Sequence, residues 1–262
     1  MHEFAILHVG GLKIDISTFL AIIVSCVIVF VVARLAVRNL SVTNPSKTQN
    51  FMEWVLEFVY NTIASTMPAE RARPFVSLGM TLILFIFVSN LLGLPLIAVT
   101  VHKEPLDLFG FTIISQAMID AGYKGEPGAS VAWWKSPTAD VAVTFGLATI
   151  VFLLVHILGL KLNRKHYIKH YFEPYWFFFP LNVIKEISKP LTLGLRLYAN
   201  IFAGEVLIAT ILMAGIFGTP LLAAWQGFSV FIGAIQAFLF TVLTMVYISQ
   251  ATVHHDESHD HH

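Results

Sequence analysis

Charge is what this sequence has least of. Asp, Glu, Lys and Arg make up 12% of its 262 residues, about half of the roughly 25% usual in soluble domains. Hydrophobic residues make up 56%, so the chain needs lipid as solvent. The 16 basic and 16 acidic residues cancel, leaving no global field to attract a polyanion, and nucleic-acid binding is not expected. Cys26 is the single cysteine and lies in an apolar run, which excludes an internal disulfide, argues against a Cys-based metal site and fits ordinary membrane packing. Residues 1–15 include Glu3 and lack the basic segment, short apolar stretch and cleavage site of a signal peptide, so the first apolar run is expected to be retained. Internal repeats, inverted or parallel, are also missing, which counts against many secondary transporters.

What is present is a series of long apolar runs. A bilayer core of ~30 Å needs ~20 apolar residues per spanning helix. The expected fold class is all-α: a polytopic membrane protein with about five spanning helices, one amphipathic surface helix, and a long, steeply tilted C-terminal helical hairpin, all in a single membrane domain over residues 1–262. After an outer N-terminal segment, 1–15, the first span covers 16–38. In 50–66, Phe51, Trp54, Val55, Phe58 and Val59 recur at three- and four-residue spacing while Glu53 and Glu57 share another side, the pattern of an amphipathic helix lying on a membrane. The second span is 74–102, with Asn90 inside it and Gly93 and Pro95 near its end; a Gly-containing outer loop, 103–139, carries Trp133 and Trp134 as interface anchors; the third span is 140–161. Two overlong helices follow, 174–214 and 221–253, joined by Gly215, Gly218 and Pro220, with Pro190 expected to allow a bend in the first. Residues 254–262 form the tail.

Basic residues orient the spans. Arg34, Arg38, Lys47, Arg71 and Arg73 lie between the first and second, and Lys161, Arg164, Lys165 and Lys169 follow the third, so both loops are expected on the cytoplasmic side. The N-terminus is then outside and the C-terminus cytoplasmic. The tail, HHDESHDHH, reads as a solvated end rather than a metal site, and neither His8 nor His156 reads as a ligand. No cofactor and no metal are expected.

Within the first overlong helix an apolar background carries Lys185, Glu186, Lys189, Arg196 and Glu205. A charge at the bilayer centre costs several kcal/mol, so each one points to function. Arg196 cannot give up its proton and acts as a fixed cation, able to drive a proton off a passing carboxylate and to block protons from crossing directly. The bland alternative is that it snorkels or pairs with Glu205 or Glu186. Helical geometry puts Lys189 and Asn200 on nearly its face, whereas Glu205 points about 180° away and ~13 Å further along. On the last helix Ser229, Gln236, Tyr247 and Gln250 form a polar stripe that either lines a water path or bonds neighbouring helices. No carboxylate lies at mid-membrane to carry a proton past Arg196, so a partner is expected to supply it.

LTLGLRLYANIFAGE (Leu191–Glu205) and IQAFLFTVLTMVYISQA (Ile235–Ala251), with weaker agreement in FVSNLLGLP (Phe87–Pro95) and WWKSPTAD (Trp133–Asp140), resemble subunit a of the bacterial rotary F-type ATP synthases over essentially the whole chain. The resemblance implies a stator subunit of the plasma membrane, not an enzyme by itself, that couples proton flow to ATP synthesis. Its partners would be a c-subunit ring, the b subunits of the peripheral stalk, the rest of the complex, the bilayer and the translocated proton. Arg196 matches the essential arginine that faces the ring and separates two offset half-channels. Asn200, Glu205, Ser229 and Gln236 match positions of the outer half-channel, with Asn90 and Asp140 at its mouth. Glu186, Lys189 and Lys185 would lie toward the cytoplasmic exit. The chain departs from the commonest pattern at Tyr198-Ala199, where Phe-Gly is usual, and at Ser229, where some members have His. Two rivals remain open: a self-contained transporter, which would move its substrate without a ring, and a scaffold, for which Arg196 would be dispensable.

Overall fold

The computed structural model describes residues 3–4, 6–9, 12–93, 99–108, 111–114, 116–120, 128–162, 164, 167, 171–172 and 175–252. The His-rich tail, Pro95, Gly122, Lys124, Gly125, Glu126, Pro127, Lys165 and Lys169 lie outside the described residues. Among the described residues, five helical stretches are long and apolar enough to cross a membrane: 16–36, 69–92, 141–162, 176–212 and 219–252. The chain divides into two compact units, one of residues 1–32, 85–140 and 200–234, the other of 33–84, 141–199 and 235–262.

In the first unit, α1 (Ile16–Ala36) begins where Asp15 caps it: the amides of Ser17 and Thr18 donate to Asp15 Oδ1 at 3.0 and 3.2 Å. That cap satisfies two of the helix's orphan donors. Ahead of it lie three short strands, β1 (Glu3–Phe4), β2 (Ile6–Val9) and β3 (Leu12–Asp15). The segment expected to be an outer loop also holds strands: β5 (Leu106–Leu108), β6 (Phe111–Ile114) and β7 (Ala129–Ala132), with a short helix α5 (Gln116–Asp120). The helix expected to run to residue 102 ends at Leu92, and Val99–His102 is a strand, β4. β7 is central, parallel to β1 with Glu3 opposite Val131 and antiparallel to β4 with Thr100 opposite Val131. β2–β3 and β5–β6 pair antiparallel. Ile114, Ile119, Ala129 and Val131 form a small core beneath Ile16, Leu106 and Trp133.

The second unit contains α2 (Lys47–Ala64), capped by Ser46, whose Oγ accepts the Gln49 amide at 3.1 Å. The sequence grouped Val55 and Val59 with Phe51, Trp54 and Phe58, but the structure divides the set. Met52, Val55, Val59 and Ile63 are buried, while Phe51, Trp54 and Phe58 form an outward ladder with centroids 6.4 and 6.1 Å apart, continued by Phe238 at 5.5 Å. Gly79, in α4 (Val76–Leu92), admits the buried face, since a Cβ there would lie 2.9 Å from Val59 Cγ1. α3 (Ala69–Ala72) precedes it. α6 (Val141–Leu162) belongs wholly to this unit.

The two overlong helices are α7 (Phe179–Leu212) and α8 (Thr219–Thr252). α7 is one helix through Pro190. After it, Gly215 takes φ +61°, a left-handed conformation that costs a side-chain-bearing residue about 1–2 kcal/mol. A Cβ on Gly218 would meet the Ile211 carbonyl at 2.4 Å, so this turn requires glycine at both positions. At the far end of α8, Arg71 Nη1 donates to the Thr252 carbonyl at 3.0 Å and the Ser249 hydroxyl donates to the Thr66 carbonyl at 2.6 Å.

Candidate functional site

Helix spacing gathers polar groups around a cavity of about 400 Å³ in the first unit. Asn90 of α4, Asn200, Glu205 and Thr210 of α7, and Trp225 and Ser229 of α8 line it among apolar residues. Glu205 is its only carboxylate among the described residues. Asn90 is buried and satisfied in both directions: Nδ2 donates to the Gly233 carbonyl at 3.0 Å and Oδ1 accepts the Thr138 hydroxyl at 2.6 Å. Gly233 makes this approach possible, because a Cβ there would sit 3.2 Å from Asn90 Cβ. Two donors of α8 near the cavity, Trp225 Nε1 and the Ser229 hydroxyl, are buried with no protein partner among the described residues. Unpaired buried donors in a polar void favour water as their complement.

Beside the capped start of α1 an ion cluster forms. Lys135 Nζ lies 2.5 Å from Asp15 and 2.8 Å from Asp140, with side chains only 11, 18 and 21% exposed. The Thr18 hydroxyl reaches both carboxylates, at 3.1 and 3.3 Å. Burial pushes the Asp15 carboxyl up, but hydrogen bonds from Lys135 and Ser17, with the Lys135 charge, hold it below its usual range. Burial likewise pulls the Lys135 ammonium down, and the bonds and charges of Asp140 and Asp15 more than reverse this. Asp140 therefore belongs to an ion cluster and is not among the residues lining the cavity. Ser136 joins the same region by donating to the Ser89 carbonyl at 2.9 Å.

In the second unit, α7 turns Leu193 and Leu197 inward, 2 and 0% exposed, and sets Gly194 against Phe145 and Ala148 of α6. Its other side is open: Ile184, Ile187, Leu191 and Leu195 are exposed, and Arg196 is exposed among them. Among the described residues no carboxylate pairs with Arg196 and no hydrogen bond reaches it. The pairing with Glu186 that the sequence left open does not form, because Glu186 Oε1 takes Lys189 Nζ at 2.5 Å. Lys189 also stands 5.4 Å over the ring of Tyr247, a cation–π distance. Lys185 is exposed. Gln236 is buried, and its Nε2 has no partner among the described residues.

Asn90, Asn200, Glu205 and Ser229, singled out in the sequence, thus share one cavity, while Arg196, Gln236, Glu186, Lys189 and Lys185 lie in the other unit. Sequence reasoning missed Trp225, Thr138 and the Asp15–Lys135–Asp140 cluster. A signal existed for Asp15, since Asp followed by Ser17 and Thr18 ahead of an apolar run is a helix-start pattern. Nothing local marked Thr138, whose partner is 48 residues away. Tyr171 was also missed: its hydroxyl meets His156 Nε2 at 3.1 Å and the Tyr167 hydroxyl at 3.3 Å. Burial pushes both phenols up, with the Glu186 charge adding to each.

The family sequence model of the ATP synthase A chain matches residues 18–249. Among similar curated proteins, the ATP synthase subunit a of Anoxybacillus flavithermus is 46% identical over all of both chains. That of Bacillus subtilis is 42% identical over 99% of each, and that of Listeria monocytogenes 42% over 94% of this chain and 96% of its own. Agreement of that extent takes in all five apolar helices, and the chain belongs to the ATP synthase A chain family.

Proposed function

We propose that this chain is the ion-translocating stator subunit of a rotary ATP synthase in a bacterial plasma membrane, its N-terminus outside and its C-terminus cytoplasmic. A ring of c subunits packs against the exposed side of α7, b subunits hold the chain to the peripheral stalk, and protons reach and leave the ring by two separate half-channels. The observation that carries this reading is Arg196, an exposed cation on an exposed apolar helix face, with no carboxylate partner among the described residues. A lone cation in that setting is costly unless a second protein supplies its counter-charge.

The roles follow from chemistry. Arg196 stays charged at any working pH, so it lowers the proton affinity of each arriving ring carboxylate and then repels protons from the gap between the half-channels. The cavity around Glu205 serves as the outer half-channel, with Asn90, Asn200 and Ser229 keeping it polar and Asp140 holding its mouth through Lys135. Gln236 supports the same path from α8. On the cytoplasmic side Glu186, Lys189 and Lys185 mark the exit. The translocated species is the proton, and the subunit performs no bond-making chemistry of its own.

ATP-driven acidification of inverted membrane vesicles tests this, comparing wild type with Arg196→Ala and checking assembly in both. Loss of acidification with assembly and ATP hydrolysis retained supports the reading. Pumping at the wild-type rate would sink it and return the chain to the transporter or scaffold class.

A further inference from the structure

His156 projects from the middle turns of an apolar helix, α6, yet it is engaged on both ring nitrogens. Its Nδ1 lies 2.9 Å from the Phe152 carbonyl. A carbonyl can only accept, so Nδ1 carries the hydrogen and Nε2 offers a lone pair. Nε2 then takes the Tyr171 hydroxyl at 3.1 Å. With its hydrogen committed, the Tyr171 oxygen accepts the Tyr167 hydroxyl at 3.3 Å. Asn182 Nδ2 holds the segment in place by donating to the Tyr171 carbonyl at 3.1 Å, and the Phe152 and Tyr167 rings pack on the imidazole at 3.9 and 5.8 Å. The three groups form a hydrogen-bonded chain with one direction, from Tyr167 to His156.

The chain opens toward charge. On α7, Glu186 is bonded to Lys189 and its field reaches both phenols, Lys185 is exposed nearby in sequence, and Arg196 lies further along. On α8, Tyr247 faces Lys189. α6 itself carries Lys161 in its last turn, and Arg164 lies in the segment that follows. We propose that His156, joined to Tyr171 and through it to Tyr167, is a proton-holding site on the exit side of the ion path. This rests on the reading of Glu186 and Lys189 as that exit.

The transfer balances. Tyr167 oxygen takes a proton from hydronium, leaving water, and passes its own to Tyr171, Tyr171 passes its own to Nε2, and the imidazole becomes imidazolium. The two relay hydrogen bonds survive with reversed direction while Nδ1 still donates to the Phe152 carbonyl, and the same steps run backward return the proton to water as hydronium. Both phenols are held well on the protonated side by burial, so they conduct without ionising. The site takes up one proton at the exit and returns it by the same path.

The test uses the assembled complex in inverted vesicles, where the bath faces the cytoplasmic side. ATP-driven acidification is followed as bath pH is stepped from about 5.5 to about 8.5. His156→Phe removes the site. His156→Gln keeps a hydrogen-bond acceptor for Tyr171 but cannot hold a proton, and Tyr171→Phe cuts the relay while leaving the imidazole. The expected result is that all three assemble and hydrolyse ATP, but depart from the wild-type pH profile and pump roughly threefold or more slowly. A wild-type profile in His156→Gln would show that the contact merely fastens the segment, and would overturn the proposal; so would an unchanged profile in Tyr171→Phe. Arg196→Ala, run alongside, separates the two readings: continued pumping there defeats the stator assignment itself, whereas altered pumping confined to Arg196→Ala defeats only the proton-holding role of His156.

Discussion

Lys135→Met removes the cation that holds Asp15 and Asp140 together while keeping most of the side-chain volume. Two carboxylates, 18 and 21% exposed, are then left facing the Thr18 hydroxyl with no counter-charge from Lys135. Breaking a fully buried pair costs about 3–5 kcal/mol and an exposed pair about 0–1; at this exposure the expected loss is about 2–4 kcal/mol at neutral pH. Thermal unfolding of the purified chain in detergent reads it. Asp15→Asn in the Lys135→Met background should recover part of the loss, with a coupling of at least ~1 kcal/mol in the double-mutant cycle. The pH dependence has a defined sign. Asp15 is shifted down on folding, so its contribution is present above the ordinary carboxylate value and is lost as pH falls through its lower folded value. Lys135 is shifted up, so its contribution is complete below the ordinary lysine value and is lost as pH rises through its higher folded one. The gap between wild type and variant should be level from about pH 5 to about pH 9 and close at both extremes. A gap below ~0.5 kcal/mol at neutral pH, or one that widens in acid, would refute the cluster as a structural clamp.

Asn90→Leu removes the bonds to the Gly233 carbonyl and from the Thr138 hydroxyl, which keeps the Ser136 hydroxyl at 2.7 Å, and should destabilise the chain by about 1–3 kcal/mol, read by the same unfolding assay. Glu205→Gln should abolish most ATP-driven acidification with ATP hydrolysis retained, and Glu205→Asp should keep a measurable part, because the cavity has no other carboxylate among the described residues to titrate in its place. Equal pumping by Glu205→Gln and wild type would remove that residue from the path.

The spanning helices were legible because burial in lipid demands a long apolar run, and that demand is written locally. Arg196 and Glu205 were legible for the complementary reason: a charge in such a run has few innocent explanations. The short strands were not, since four-residue segments such as Ala129–Ala132 owe their conformation to partners on β1 and β4 rather than to their own pattern. The aromatic set on α2 misled for a geometric reason. Residues three and four apart share a side only within a limited arc, and at 100° per residue the set spreads so that Trp54, Phe58 and Phe51 lie toward one end of it and Val55 and Val59 toward the other, next to the buried Met52 and Ile63. The contacts of Asn90 with Thr138 and Gly233, of Asp15 with Lys135 and of His156 with Tyr171 were invisible because each joins residues that only the folded chain brings together. Pro190, expected to allow a bend, is accommodated inside one continuous helix.

That accommodation has a mechanical side. Pro190 has no amide hydrogen, so the carbonyl of Glu186, four residues earlier, receives no rung of the helical ladder from it. The omission lies ~9 Å along the axis from Arg196. A beam missing one cross-tie yields there first, by a small twist, without breaking elsewhere. In the stator role proposed for this chain, α7 would have one point of lower stiffness, placed just short of Arg196.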